Sequence, residues 1–227
     1  MKIISAKKLV KVYNSSNLSF KAIDEINLDI EKGEFSAIVG PSGSGKTTLL
    51  NMIGGLDKLT SGEVIINNVK LNNLNENELI DFRLNNIGFI FQAYNLIPVL
   101  TAIENVEFIM LLQGINHLIR KERSTELLKY VGLENKINSR PNQLSGGQQQ
   151  RVAVARALAS NPSFILADEP TANLDSKSTN KLLDLMAKMN KEQNITFLFS
   201  THDQRVINRA KRIITIEDGK IISDEKN

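Results

Sequence analysis

The chain has 227 residues, of which 41% are hydrophobic and 23% charged, and its formal net charge is +3. This length allows one α/β domain with its own core, or a core with a small subdomain. The composition is that of an ordinary globular protein. So small a net charge gives no sign of a surface that binds nucleic acid, and we expect no nucleic-acid partner.

The sequence also excludes several kinds of chemistry and targeting. It contains no cysteine, which rules out disulfides, thiolate metal sites and cysteine nucleophiles and is compatible with the cytosol. Residues 1–8 include lysines but no apolar core of the length a secretion signal needs. The longest purely apolar run, Phe108 to Leu112, is far short of the ~20 residues that span a bilayer. We therefore expect no direct membrane insertion by this chain.

Apolar residues recur at spacings that predict strands and helices in alternation. Ile26, Leu28 and Ile30 alternate with Asn27 and Asp29, which is typical of a half-buried strand in an antiparallel sheet. Further strands are predicted over residues 35–39, 64–66, 69–71, 87–91, 164–167, 195–199, 213–217 and 220–222. Helices are predicted over residues 46–56, through most of the stretch from 101 to about 160, and between 167 and 195. This order indicates an α/β fold with a parallel sheet and right-handed crossovers.

A glycine-rich loop lies between the predicted strand 35–39 and the helix that follows it. Its residues are Gly40, Pro41, Ser42, Gly43, Ser44, Gly45, Lys46 and Thr47. Glycines let the backbone turn tightly with its amides directed at a phosphate, and the helix N-terminus favours the same anion. Lys46 can reach the β- and γ-phosphates, and the Thr47 hydroxyl suits Mg²⁺. The loop predicts a nucleoside triphosphate site, and its glycine spacing excludes a dinucleotide fingerprint.

Two carboxylates follow the apolar run 164–167. Asp168 and Glu169 would lie at the C-terminal edge of a buried strand, which is where α/β sheets bind ligands. Asp168 can hold Mg²⁺ through water, and Glu169 can accept a proton from an attacking water. An acidic junction between a strand and a loop is common by itself. The phosphate loop upstream makes the catalytic interpretation the better one.

The segment Leu144-Ser145-Gly146-Gly147-Gln148 allows two interpretations. Ser145 and Gln148 have the spacing of a capping box, so the serine could simply cap a helix. Capping does not require glycine at the first two helical positions, where it costs stability. Gly146 and Gly147 would instead expose backbone amides to an anion at the helix N-terminus. The two interpretations are compatible, and we favour the functional one.

Taken together, these motifs resemble the ATPase subunits of ABC transporters, and the resemblance covers essentially the whole chain. The resemblance is based on the order of the motifs along the chain, which is the phosphate loop, Gln92, Leu144 to Gln148, Asp168 with Glu169, Asp175 and His202. It implies a phosphate-loop NTPase core with a mostly parallel sheet, an N-terminal antiparallel β-subdomain and an inserted α-helical subdomain. Residues 1–227 would form one ABC ATPase domain, with core and β-subdomain at about 1–92 and 161–227 and the helical subdomain at about 93–160.

The resemblance also implies roles for single residues. Tyr13 would stack on adenine, His202 would contact the γ-phosphate, and Asp175 would lie at a dimer interface. Gln92 would touch Mg²⁺ and sense a membrane partner, and Thr48 would join the nucleotide-binding loop. The implied catalytic residues are Lys46, Glu169 and His202, and the implied Mg²⁺ ligands are Thr47, Gln92 and Asp168.

An assembly is implied as well. Two copies would form a head-to-tail homodimer around two ATP molecules with Mg²⁺, and ATP hydrolysis would let it reopen. Each site would combine the phosphate loop of one copy with Ser145, Gly146, Gly147 and Gln148 of the other. A separate transmembrane permease would be driven through the region near Gln92. The chain would then be cytoplasmic and peripheral on the inner face of the membrane.

Three short segments resemble one branch of the family, which contains macrolide exporters, lipoprotein-releasing ATPases and peptide exporters. They are Asn95 to Pro98, Thr101 to Val106 and Ala172 to Asp175. This branch implies export, or extrusion of lipoproteins or peptides. It also contains the cell-division type, which signals through a membrane partner without transporting a substrate, and that alternative stays open. A kinase or GTPase would share the phosphate loop but not residues 144–148.

Overall fold

The computed structural model describes residues 1–15 and 18–226. Its strands are β1 (Lys2–Ser15), β2 (Leu18–Glu31), β3 (Phe35–Val39), β4 (Ser61–Ile66), β5 (Val69–Lys70), β6 (Ile87–Ile90), β7 (Phe164–Asp168), β8 (Thr196–Ser200), β9 (Arg212–Glu217) and β10 (Lys220–Lys226). Its α-helices are α1 (Lys46–Ile53), α2 (Glu76–Asn86), α3 (Ala102–Leu112), α4 (His117–Tyr130), α5 (Gly146–Ala159), α6 (Ser176–Gln193) and α7 (Gln204–Ile207). Short 3₁₀ helices occupy Leu71–Asn73, Glu134–Lys136 and Pro141–Gln143.

Two sheets form the framework. The larger has six strands in the order β10-β9-β3-β8-β7-β6, and all its pairs are parallel except the one between β10 and β9. The smaller has four strands in the order β2-β1-β4-β5, and its pairs are antiparallel. The predicted fold class is confirmed: a mostly parallel sheet is accompanied by an N-terminal antiparallel sheet and by helices.

The two faces of the larger sheet are buried in two separate cores. Phe35, Phe197 and Phe199 pack with residues of α3, α5 and α6 on one face. Ile38 and Leu198 point the other way, and they pack with α1 and the smaller sheet. Because both faces are covered, the central strands are apolar at nearly every position and do not alternate.

The register of the sheet brings the predicted motifs to one edge. Ile38 of β3 and Asp168 of β7 both lie beside Ser200 of β8. The loops that leave β3, β7 and β8 therefore start side by side at the C-terminal edge, as does the segment after β6. This is the edge at which α/β sheets bind their ligands.

Several element boundaries differ from the prediction for local reasons. Helix α1 ends at Ile53 and not at Leu56, because Gly54 and Gly55 follow it and Gly55 has a left-handed φ of 64°. Strand β5 ends at Lys70, since Leu71 begins a 3₁₀ helix. Helix α2 has no counterpart among the predicted helices, and none of its residues is buried. Among the described residues, no helix is both long and apolar enough to cross a membrane.

Candidate nucleotide-binding site

The phosphate loop occupies the turn between β3 and α1. Gly40 and Gly45 have φ values of 151° and 102°, which favour glycine. A Cβ atom at these positions would lie 2.1 Å from the carbonyl oxygen of Ile216 and 2.5 Å from that of Ala22. The loop therefore needs glycine both for its backbone angles and for its close approach to two neighbouring strands.

Lys46 and Thr47 begin helix α1 directly after the loop. The Lys46 ammonium donates to the carbonyl oxygens of Gly40 and Pro41, at 2.9 and 2.8 Å, and the side chain lies across the loop. The Thr47 hydroxyl lies 3.0 and 3.1 Å from the two carboxylate oxygens of Asp168. The structure thus joins the loop to the carboxylate that the sequence predicted as its partner in holding Mg²⁺.

Glu169 and His202 meet on the other side of the site. Nδ1 of His202 lies 2.7 Å from Oε1 of Glu169, and the Thr201 hydroxyl lies 3.3 Å from Oε2. Glu169 has a φ of 44°, an angle that non-glycine residues rarely adopt, and its amide donates to the carbonyl of Ser200 at 2.8 Å. Both carboxylate oxygens and the backbone amide of Glu169 are therefore held by β8 and the loop after it.

Just beyond His202, Asp203 fixes the same loop. Its carboxylate accepts a hydrogen bond from the Thr171 hydroxyl at 2.9 Å and pairs with Arg205 at 2.7 Å. The hydrogen bonds from the Arg205 guanidinium lower the pKa of Asp203 to about 2, so this carboxylate stays ionised at neutral pH. The His202 loop is consequently anchored to the segment that carries Glu169.

A cavity of about 630 Å³ opens among these groups. The residues that line it are Tyr13, Phe20, Ala22, Gly40, Pro41, Ser42, Gly43, Gly45, Lys46, Thr47, Thr48, Gln92, Glu169 and His202. Twelve of these fourteen residues are sequence-predicted site residues, while Phe20 and Ala22 are additions. Two other predicted residues lie behind the lining: Ser44 is buried, and Asp168 is reached through the Thr47 hydroxyl.

The predicted residues 145–148 lie at the start of α5. Ser145 accepts a hydrogen bond from the Gln148 amide at 3.3 Å, and the Gln148 side chain accepts one from the Ser145 amide at 2.9 Å. The capping box is therefore present. Among the described residues that line the phosphate-loop cavity, none comes from this segment.

This fold and this site occur together in a known protein family. The sequence model of the ABC transporter family matches residues 23–172. The chain belongs to the ABC transporter family. Relatives of this chain include lipoprotein-releasing and macrolide-export proteins, which confirms the expected family and branch.

Two relatives resemble this ABC chain over nearly their whole length. The uncharacterized ABC transporter ATP-binding protein MJ0796 of Methanocaldococcus jannaschii is 49% identical, with 99% of this chain and 97% of that protein covered. A lipoprotein-releasing system ATP-binding protein LolD of Legionella pneumophila is 41% identical, with 98% of each chain covered. A solved dimer of MJ0796, in a post-hydrolysis state bound to ADP and Pi, has a TM-score of 0.91 at 48% identity and covers 99% of this chain and 98% of its own.

A third relative combines two functions in one chain. The macrolide export ATP-binding/permease protein MacB of Hyphomonas neptunium is 47% identical over 99% of this ABC chain. The match spans 35% of that protein.

Tyr13 lies at the rim of the cavity of this ABC chain. It is 44% exposed, and its hydroxyl donates to Asp57 at 2.6 Å. The Lys11 ammonium also bonds Asp57 and lies 4.8 Å from the centre of the Tyr13 ring. Burial, followed by the bond to Asp57, raises the pKa of Tyr13. Phe20 is opposite Tyr13 in the pairing of β1 with β2 and is 59% exposed, so two aromatic residues line the cavity at this rim.

We expect Tyr13→Ala to weaken ATP binding while Tyr13→Phe largely retains it. The aromatic face is the part that can stack on adenine, and stacking of this kind is worth ~1–3 kcal/mol. Tyr13→Phe loses the bond to Asp57 but keeps the face. Calorimetric titration with ATP measures both variants, and Phe20→Ala shows whether the second ring contributes. Equal affinities for Tyr13→Ala and Tyr13→Phe would mean that Tyr13 does not stack on the nucleotide.

Proposed function

We infer that this chain is the ATP-binding and ATP-hydrolysing subunit of an ABC transporter. The observation that carries this conclusion is the assembly of Lys46, the Thr47–Asp168 pair and the Glu169–His202 pair around one cavity. These five residues come from three segments at the same sheet edge: the start of α1, the end of β7 with the residue after it, and the loop after β8. The family match and the relatives named as ATP-binding proteins support the same function.

We propose that the phosphate loop holds the triphosphate and that Lys46 places its positive charge on the β- and γ-phosphates. The oxygen atoms of Thr47, Asp168 and Gln92 are the kind of ligand that Mg²⁺ prefers, and the contact between Thr47 and Asp168 at 3.0 Å supports the proposal that these two would hold it together. When bound there, Mg²⁺ would neutralise charge on the phosphates.

Glu169 is proposed as the general base. Its carboxylate can take the proton of a water that attacks the γ-phosphate, which is the task of a base in phosphoryl transfer to water. The bonds from His202 and Thr201 orient this carboxylate and would keep it in place during the reaction. His202 is 74% exposed at its side chain and remains accessible to a γ-phosphate on the cavity side.

A second copy of the chain is proposed to complete each site. Residues 145–148 form a helix N-terminus whose amides can face an anion, and in this copy they lie outside the phosphate-loop cavity. A head-to-tail homodimer would bring Ser145 of one copy to the nucleotide of the other, with Asp175 at the interface. The related MJ0796 cassette forms a dimer, which supports this assembly. ATP would favour the closed dimer and hydrolysis the open one, as coupling requires.

A membrane permease is the proposed second partner. An apolar groove of about 440 Å³ runs between α2, β6 and α3 and includes Phe89, Phe91 and Ile109. It borders the Gln92 segment, because Arg156 both lines the groove and donates to the carbonyl oxygen of Tyr94 at 2.8 Å. A permease helix in this groove would reach the site through Gln92. Because ATP is supplied by the cytoplasm, the subunit would lie on the inner face of the membrane.

We further propose that the chain serves export or the extrusion of lipoproteins or peptides, as the relationship to LolD and MacB suggests. Residues of about 93–160 would act as the helical subdomain and the rest as core and β-subdomain. The occurrence of α3, α4 and α5 between Ala102 and Ala159 supports this division.

Mixing two inactive variants tests the proposed assembly. We expect Ser145→Arg to impair hydrolysis without preventing ATP binding to the monomer, because the bulky cation would stand between the helix and the partner's phosphate. In a head-to-tail dimer of Ser145→Arg with Lys46→Ala, one site carries both lesions and the other carries neither. The mixture should therefore regain phosphate release that neither variant shows alone. A mixture as inactive as its components would contradict the head-to-tail arrangement.

A further inference from the structure

The segment from Phe91 to Asn95 has no helix or strand, and its backbone is held by side chains from elsewhere in the chain. Four of its carbonyl oxygens, those of Phe91, Gln92, Tyr94 and Asn95, each accept a hydrogen bond from a distant side chain. The donors are the Gln150 amide, the Asn173 amide and the Arg156 guanidinium, which bonds two of them. The position of Gln92 is thus set by a few side-chain contacts and not by sheet or helix bonds.

One of these donors forms a reciprocal contact. The Asn173 side-chain amide donates to the carbonyl oxygen of Gln92 at 3.0 Å. In return, the Tyr94 hydroxyl donates to the backbone carbonyl of Asn173 at 3.3 Å. Two hydrogen bonds of opposite direction therefore join residues 92–94 to the segment that follows Glu169.

A buried amide joins the same two segments a short distance away. Gln150 is completely buried, and its side-chain nitrogen donates to the carbonyl of Pro170 at 2.7 Å and contacts that of Phe91 at 3.4 Å. Gln150 belongs to α5, whose N-terminus is formed by Ser145 and Gly146. The Gln92 segment, the segment after Glu169 and α5 are consequently in direct contact.

Asn173 differs from Gln150 in its surroundings. Gln150 is buried in the core, so a substitution there would disturb packing as well as hydrogen bonding. Asn173 and Gln92 are both exposed. An exposed side chain contributes little through burial. The effect of Asn173 therefore rests on the bond that its amide makes to the backbone at Gln92.

We propose that Asn173 is a positioning residue for ATP hydrolysis, which fixes the backbone of Gln92 relative to the segment after Glu169. This inference rests on the proposed function, in which the Gln92 side chain acts at the nucleotide. A displacement of residues 92–94, as a docked permease would cause, is then transmitted through Asn173 to residues 170–175. The same contact holds Gln92 in the position proposed for ATP hydrolysis when no permease is bound to the chain.

The isolated chain is sufficient to test this role. We expect Asn173→Ala to lower kcat by about 2- to 10-fold, the range that loss of one neutral hydrogen bond can produce, while KM for ATP changes little. Asn173→Asp should be at least as damaging, because a carboxylate has nearly the same shape but cannot donate to a carbonyl. Wild-type kcat in Asn173→Asp would show that the donor is not required and would overturn the proposal.

A double variant distinguishes positioning of Gln92 from a general structural effect. If Asn173 acts through Gln92, Asn173→Ala should cause no further loss of kcat in a Gln92→Ala background, whereas independent effects would multiply. Multiplying effects would overturn the inference. If Gln92→Ala itself leaves kcat unchanged, the proposed role of Gln92 fails instead, so the two failures can be told apart.

Hydrogen exchange provides a readout that does not depend on activity. Asn173→Ala should speed amide exchange in residues 91–95, because their backbone loses one of its anchors, while exchange in β7 stays as in the wild type. Tyr94→Phe, which removes the second bond and keeps the ring, should have the same effect in the same peptide. Unchanged exchange in residues 91–95 of both variants would mean that these bonds do not hold the segment.

Discussion

Lys46→Ala should abolish most ATP binding. The substitution removes the ammonium group that we propose to contact the β- and γ-phosphates. It also removes two hydrogen bonds that the ammonium donates to the carbonyl oxygens of Gly40 and Pro41, at 2.9 and 2.8 Å. The loop would lose both the positive charge of Lys46 and two hydrogen bonds that stabilise its backbone. Calorimetric titration with ATP measures the affinity directly.

The control for this variant is a lysine of equal charge outside the cavity. Lys188 lies on the exposed face of α6 and pairs with Glu192 at 3.9 Å. Lys188→Ala changes the net charge by the same amount and should bind ATP as the wild type does. Thermal denaturation of both variants should show that the fold is retained. An affinity for ATP close to that of the wild type in Lys46→Ala would remove Lys46 from its proposed role.

Much of the nucleotide site could be predicted because its parts are local in sequence. The glycines, Lys46 and Thr47 belong to one continuous strand–loop–helix unit, so their spacing nearly determines their geometry. The meeting of this loop with Asp168 required one further step, namely that parallel strands expose their C-terminal ends at one edge. The contact of 3.0 Å between Thr47 and Asp168 agrees with that step.

Other features could not be found from apolar periodicity. Helix α2 has no buried residue, so it lacks the apolar stripe from which helices are predicted. Its signal was the capping box formed by Asn75 and Glu78, which the structure contains. Phe20 joins the cavity because it pairs with Tyr13 across two strands, and the register of that pair is a tertiary property.

The glycines of the segment 145–148 have a second structural role that could not be predicted from the sequence. The sequence suggested that Gly146 and Gly147 leave backbone amides open to an anion. In the structure, a Cβ at Gly146 would lie 2.7 Å from the Tyr94 hydroxyl, and one at Gly147 would lie 2.8 Å from the Ser178 hydroxyl. Close packing against two other segments is thus a second reason for glycine here. It could not be seen from the sequence, since Tyr94 and Ser178 are distant along the chain.

The hydrogen bonds that hold residues 91–95 could not be predicted from the sequence either. Their donors lie between 59 and 81 residues away along the chain. An irregular segment has no periodic pattern of apolar residues from which its structure could be predicted. Its backbone conformation depends on which distant side chains donate hydrogen bonds to its carbonyl groups. The sequence could identify Gln92 through family resemblance, but it could not show what holds Gln92 in place.

Glu169→Gln should separate ATP binding from hydrolysis. The amide nearly preserves the shape of the carboxylate, and its oxygen can still accept a hydrogen bond from Thr201 or His202, as Glu169 does at 3.3 and 2.7 Å. It cannot take a proton from water. General-base catalysis typically contributes ~10²–10⁴-fold, so turnover should fall by about that factor in a phosphate-release assay. Glu192→Gln, at an exposed position near the end of α6, should retain the wild-type rate.

The same variant should accumulate as a dimer in ATP and Mg²⁺. Lys46 and Thr47 remain intact, so the nucleotide still binds, and ligand held between two copies stabilises their association. We expect the wild-type chain to reopen each time it hydrolyses ATP and therefore to remain mostly monomeric under the same conditions. Size-exclusion chromatography distinguishes the two states. A Glu169→Gln protein that hydrolyses ATP at the wild-type rate and stays monomeric would show that Glu169 is not the base, because hydrolysis would then neither need its carboxylate nor be blocked by its loss.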